Sequence, residues 1–199
     1  GVNKTKVKNI LKDSTENKIA VNVFFDQATI QHLANLTAEG VKKAYDNEKF
    51  RHEIADLIHS NFSRRRHGLH GYSLRMNFFQ SFIIPKLMKR KNIGPRVAAL
   101  NHTSFISAMA VIVLSGEDNK NCWLRCGEVL QRMLLGLTLE NIGSSIYVAA
   151  VEDKDLRKQV HQLTGLPPSV KPLILFCIGE TTRPLSYSAR KKLKHFLEA

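Results

Sequence analysis

The stretch that most constrains the fold is residues 121–151, NCWLRCGEVLQRMLLGLTLENIGSSIYVAAV. It reads first as a helix and then as a strand. Trp123, Gly127, Leu130, Met133, Leu134 and Leu137 recur at spacings of three and four, so they share one helical face. Val129, Leu135 and Leu139 are apolar off that face, which predicts a helix buried nearly all round. Gly143 is expected to end it, since glycine takes up the left-handed conformation of a helix terminus without a Cβ penalty. Residues 145–151 carry β-branched and aromatic side chains and read as extended. A buried helix that delivers a strand needs further elements packed on both.

Those elements are readable on either side. Residues 18–25, KIAVNVFF, have the composition and alternation of a strand. Asp26 is a fitting N-cap for a helix over 27–45 with the stripe Ile30, Leu33, Ala34 and Val41. A second helix is expected over 47–62. Residues 63–73, SRRRHGLHGYS, form a basic loop, suited to a phosphate or simply solvated. Residues 75–91 are helical, with Phe78, Phe79, Phe82 and Ile83 clustered and a kink or break expected at Pro85. Residues 106–115 and 173–178 read as buried strands, 153–163 as an amphipathic helix and 190–198 as a basic helix. Helices and strands alternate irregularly and the strands are few, which is the signature of an α+β domain.

The length suits one domain with a sizeable core. The net charge of +13 favours an anionic partner, if it does more than solvate one face. Three cysteines make no paired framework, which points to a reducing, cytoplasmic setting. No apolar run is long enough for a transmembrane segment. Cys122 and Cys126 stand four apart with no second pair to complete a zinc site, so no metal is expected. No helix-turn-helix, zinc-finger or base-stacking pattern supports nucleic-acid binding.

One catalytic pattern is incomplete. Asn101-His102, followed later by Gly179-Glu180-Thr181-Thr182-Arg183, resembles the glycerolipid acyltransferases, in which an Asp five residues after the His orients it as general base. The fifth residue after His102 is Ser107, so that reading needs a carboxylate from elsewhere, with Asp118 and Glu128 as candidates.

A longer series of signals runs from residue 50 to 197. It comprises Glu53-Ile54-Ala55 leading into Arg66-His67-Gly68-Leu69-His70-Gly71; Trp123-Leu124-Arg125-Cys126-Gly127 and the apolar helix beyond; Gly143-Ser144-Ser145; Val151-Glu152 and Leu156-Arg157; Gly165-Leu166-Pro167; a strand from Pro172 to Ile178 ending in Gly179; and Ser188-Ala189-Arg190-Lys191. In order and spacing this resembles the nitroreductase family, in particular the branch in which two nitroreductase-like halves are fused. The resemblance implies an α+β sandwich, with an antiparallel sheet of few strands covered by helices around a long buried central helix. It implies bound flavin mononucleotide (FMN), a nicotinamide donor (NADH or NADPH), nitroaromatic or quinone-like acceptors, and a homodimer or pseudo-dimer. Arg190 and Lys191 match the basic pair that reaches the cofactor phosphate, and a guanidinium forks well onto phosphate. Gly143, Ser144 and Ser145 match the turn that approaches the flavin ring. No catalytic side chain is assigned.

The match to the family's arginine-bearing N-terminal motif is only Lys4-Thr5-Lys6-Val7-Lys8, which lacks the arginine fork. The expected organisation is therefore a basic arm or linker over 1–17 and a nitroreductase-like domain over 18–199, equivalent to the later part of a larger protein without its N-terminal flavin-binding segment. The alternative within the same fold is a non-catalytic domain that binds flavin or a partner.

Overall fold

The structure is a computed structural model and describes residues 4–14 and 18–181. These fall into two compact units, residues 4–42 with 96–181, and residues 43–95.

The first unit is built on a four-stranded antiparallel sheet in the order β1 (Ala20–Phe24), β4 (Ala110–Glu117), β6 (Val170–Gly179), β5 (Gly143–Ile146). Residues 110–115 of β4 are completely buried. A strand covered on both faces reads as an unbroken apolar run, which is why AVIVLS stands out in the sequence. Side chains alternate across it. Ala110, Ile112 and Leu114, with Phe176 and Ile178 of β6, face a layer made by α6 (Lys120–Leu139) and α1 (Lys4–Ser14). Val111 and Val113, with Leu175 and Cys177, face Ile30, Leu33 and Ala34 of α2 (Gln27–Asp46) and Phe105 of α5 (Gly94–Ile106). The same layer takes Val151 of α7 (Ala149–Glu152) and Leu156 and Val160 of α8 (Lys154–Thr164). This is the expected antiparallel sheet covered by helices.

Two expectations about the centre change. The helix α6 is not buried all round. Its inner face is Cys122, Cys126, Val129, Met133 and Leu137, while Trp123, Leu124, Leu135 and Leu139 are exposed. The stripe starts one residue earlier than expected, because the two cysteines act as small buried hydrophobes. The second departure is at the amino end. Residues 4–14 form α1, which buries Val7 and Leu11 against α6. A Cβ on Gly136 of α6 would come within 2.7 Å of Ile10 Cγ2, so glycine lets the two helices meet closely.

In the second unit, α3 (Glu48–Leu57) is capped by Asn47, whose Oδ1 accepts from the Lys49 and Phe50 amides. It stops at Leu57 rather than 62, and residues 58 and 59 instead pair as β2 (Ile58–His59) with β3 (Leu69–His70) in parallel. A 3-10 turn over Gly71–Leu74 leads to α4 (Phe78–Arg90), which starts on a capping box between Asn77 and Gln80 and continues through Pro85. Ala55, Ile58 and Met88 form the small core.

Candidate functional site

The residues expected near a flavin ring, Gly143 to Ser145, follow the end of α6. That end is not made by Gly143. Asn141 takes the left-handed conformation (φ 56°), its N–H donates to Thr138 O at 3.0 Å, and Ile142 N–H donates to Leu137 O at 2.9 Å. This six-to-one and five-to-two pairing is a Schellman end, sealed by Ile142 against Leu137 in the core. With the helix already closed, Gly143, Ser144 and Ser145 are free to enter the sheet, so the expected turn is the strand β5.

β5 pairs only with β6, with Gly143 opposite Gly179 and Ser145 opposite Cys177. Among the described residues no strand covers its other edge. Tyr147 N–H donates to Leu175 O at 2.9 Å. Antiparallel alternation then turns the backbone of Gly143 and Ser145 toward β6, and that of Ser144 and Ile146 outward. The outward amide and carbonyl of Ser144, and the Ser144 and Ser145 hydroxyls, are exposed groups able to hydrogen-bond a planar heterocycle. Gly143 is needed for closeness: a Cβ there would lie 3.3 Å from both Gly179 O and Thr181 Cβ. Of the segment expected to be extended over 145–151, only Ser145 and Ile146 lie in the strand; residues 149–152 form α7, which buries Ala150 and Val151. Arg190 and Lys191, the expected phosphate pair, lie outside the described residues.

The other candidate chemistry resolves differently. His102 on α5 has Nε2 at 2.8 Å from Gln31 Nε2 and 2.9 Å from Asn35 Oδ1, both on α2. Gln31 Nε2 is also 3.3 Å from Asn35 Oδ1, so one amide can donate to the ring nitrogen and to Asn35 together. The partners of this nitrogen are amides, not a carboxylate. Ser107 Oγ donates to Ser104 O, and Asp118 is held by Trp123 Nε1 at 2.9 Å and Arg157 at 3.2 Å. The acyltransferase reading therefore loses its acid–base pair.

Cys126 and Cys177 are buried thiols pushed up to about 12 by desolvation, so each stays protonated and is a poor nucleophile. Among the described residues no group of three or more His, Cys, Asp or Glu is placed to hold a metal ion. A polar cleft of about 690 Å³ opens at the start of α6, with Lys18, Arg125, Glu117 and Glu128 among its lining. In the second unit His59 is buried, with the rings of His67 and His70 at 5.4 and 6.0 Å, and its Nε2 has no hydrogen-bond partner.

No protein-family model matches the chain, and no curated protein matches it in sequence. Solved structures do match in shape. An iodotyrosine deiodinase bound to FMN and 3-iodo-L-tyrosine superposes with a TM-score of 0.62 over 96% of this chain and 86% of its own, at 13% identity. A nitroreductase with bound FMN from Bacteroides fragilis NCTC 9343 gives 0.56 over 97% and 86%, also at 13% identity. This chain has the nitroreductase fold. An FMN- and NADPH-dependent nitroreductase from sphigopyxis sp. strain HMH extends the likeness, with a TM-score of 0.53 over 98% of this chain and 88% of its own at 13% identity. These matches span nearly the whole chain.

Proposed function

We propose that this chain is an FMN-dependent oxidoreductase of nitroreductase type, passing electrons from NADH or NADPH to nitroaromatic or quinone-like acceptors. The observation that carries the reading is the open edge of β5, in a fold shared with FMN-bound proteins. Bound flavin would supply the two-electron chemistry. The chain's own part is to bind and orient. The outward Ser144 amide and carbonyl fit the hydrogen-bonding edge of an isoalloxazine ring, and Gly143 keeps that strand close to β6. Arg190 and Lys191 are assigned to the phosphate on the sequence argument alone.

The same reading pairs two copies of the chain through the outer face of α6. A shallow groove of about 540 Å³ there is lined by Trp123, Leu124, Gly127 and Gln131, and Leu135 and Leu139 continue it. A Cβ on Gly127 would meet nothing within 4 Å, so the groove has room for a facing side chain. Apolar faces of this kind, rimmed by Glu128 and Arg132, are typical of self-association.

The test is the visible absorption spectrum of the purified chain after mixing with excess FMN and desalting. Retained flavin bands, followed by NADH- or NADPH-dependent reduction of a nitroaromatic, are the expected result. Retained flavin with no turnover selects the non-catalytic flavin-binding domain. A colourless protein that folds but retains no flavin overturns the proposal.

A further inference from the structure

We propose that the second unit carries a docking surface for anionic lipid bilayers, made by the exposed face of α4 and the loop after β2. The surface is aromatic and aliphatic at its centre. Phe79 is 71% exposed, Phe62 70% and Ile83 60%, with Phe78 and Phe82 beside them. The Phe78 ring is in edge contact with Phe62 at 4.8 Å and with Phe79 and Phe82 at 5.2 Å. Exposed phenylalanines seldom gather this way on a monomer without a partner.

The patch is built rather than frayed. The Asn77–Gln80 capping box fixes the start of α4. Asn61 N–H donates to Ser81 Oγ at 3.2 Å and Asn61 Nδ2 donates to Met76 O at 3.1 Å, so the segment that presents Phe62 is fastened to the helix that presents the other rings. α4 turns Ser81 and Met88 inward, leaving Phe79, Phe82, Ile83, Lys86 and Arg90 along its outer face.

Charge chooses the occupant. Between Asp56 and Glu117 the sequence has no Asp or Glu at all. Arg64, Arg65 and Arg66 follow Phe62, Arg75 precedes α4, and Lys86 and Arg90 continue its outer face; all are exposed. An apolar centre flanked by exposed basic side chains, with the neighbouring Asp56 carboxylate paired to Lys89, is complementary to a layer of anionic headgroups over acyl chains. The rings favour lipid over nucleic acid. They pack edge to face on one another, with Ile83 and Leu87 between the basic positions, and offer no row of parallel faces for bases to stack on. No helix among the described residues is long and apolar enough to cross a bilayer, so the mode is lying on the surface.

The test is flotation of the full chain with phosphatidylcholine vesicles, with and without phosphatidylserine, at low and high salt. The expected result is partitioning onto the phosphatidylserine vesicles that weakens with salt. Phe79→Ser with Ile83→Ser should lower it about tenfold, and Lys86→Gln with Arg90→Gln by several-fold. All four positions are exposed, and an unchanged circular dichroism spectrum confirms that the variants fold. Three results overturn the proposal: no partitioning of the folded wild type, partitioning indifferent to Phe79 and Ile83, or a Phe79→Ser, Ile83→Ser variant that turns a dimer into a monomer and leaves vesicle binding intact.

Discussion

His59 is a buried imidazole whose Nε2 finds no partner, and its surroundings set its titration. Burial holds its pKa below the ordinary 6.5, and Arg65, His67 and His70 add to the effect, against a hydrogen bond to the His67 backbone that raises it. A base whose folded pKa is depressed binds its proton more readily when unfolded. Stability is therefore full above about 6.5 and falls as pH drops toward the folded pKa. The second unit is expected to lose urea resistance as pH falls below about 6.5, and His59→Gln to flatten that slope; an equal slope in the variant assigns the loss elsewhere. Gly68 completes the site, since its φ of +80° and a Cβ 2.6 Å from His59 Nε2 leave room for glycine alone. Gly40 is a second such position. A Cβ there would lie 2.5 Å from Ala149 O, which is backbone and cannot swing aside. Gly40→Ala should cost about 1–3 kcal/mol, read as a lower urea midpoint at unchanged slope. Neither glycine was legible as special in the sequence, because both constraints come from segments that fold against them. The caps were legible: Asp26 Oδ1 accepts from Thr29 N–H at 2.8 Å as its position before an apolar-periodic stretch implied.

At the scale of elements, α6 shows what periodicity can and cannot decide. Spacings of three and four link Trp123, Gly127, Leu130, Met133, Leu134 and Leu137, the face read from the sequence, and equally Cys122, Cys126, Val129, Met133 and Leu137, with Met133 and Leu137 common to both. Packing against β4 and β6 selects the second. The choice is measurable. Met133→Ala should destabilise by about 2–5 kcal/mol, as a wholly buried side chain that leaves a cavity. Leu139→Ala, at a position 83% exposed, should change monomer stability by no more than about 0.5 kcal/mol, and Leu139→Asp should shift sedimentation toward monomer if two copies meet on this face. Equal losses at both positions contradict the assigned core face. The helix ends follow the same lesson. Gly143 looked like the terminator because glycine is the commonest left-handed residue, yet Asn141 reaches that conformation two residues earlier and releases Gly143 to the sheet edge.

For the whole molecule, the order of the signals carried the fold where no single one did. The series from Trp123 to Gly179 gives the long helix, the edge strand after it, the amphipathic helix α8 and the strand β6 in their order, while α7 falls where the sequence reads as extended, and the fold is shared with solved structures at 13% identity. What the sequence could not show is whether the proposed ring and phosphate contacts belong to one site, since the residues assigned to them lie far apart in the chain. Ligand-linked stability separates the two. A ligand that binds only the folded chain stabilises it by RT ln(1 + [L]/Kd), about 2.7 kcal/mol at a hundredfold excess over Kd, or several degrees in melting temperature at this length. Riboflavin has the isoalloxazine ring without the phosphate. FMN should therefore raise the melting temperature more than riboflavin does. Arg190→Ala should erase the difference between the two ligands while leaving the riboflavin shift in place, whereas Gly143→Val, which crowds Gly179 and Thr181, should reduce both shifts together. A FMN shift that survives Arg190→Ala in full removes that arginine from the phosphate site without touching the ring site on β5.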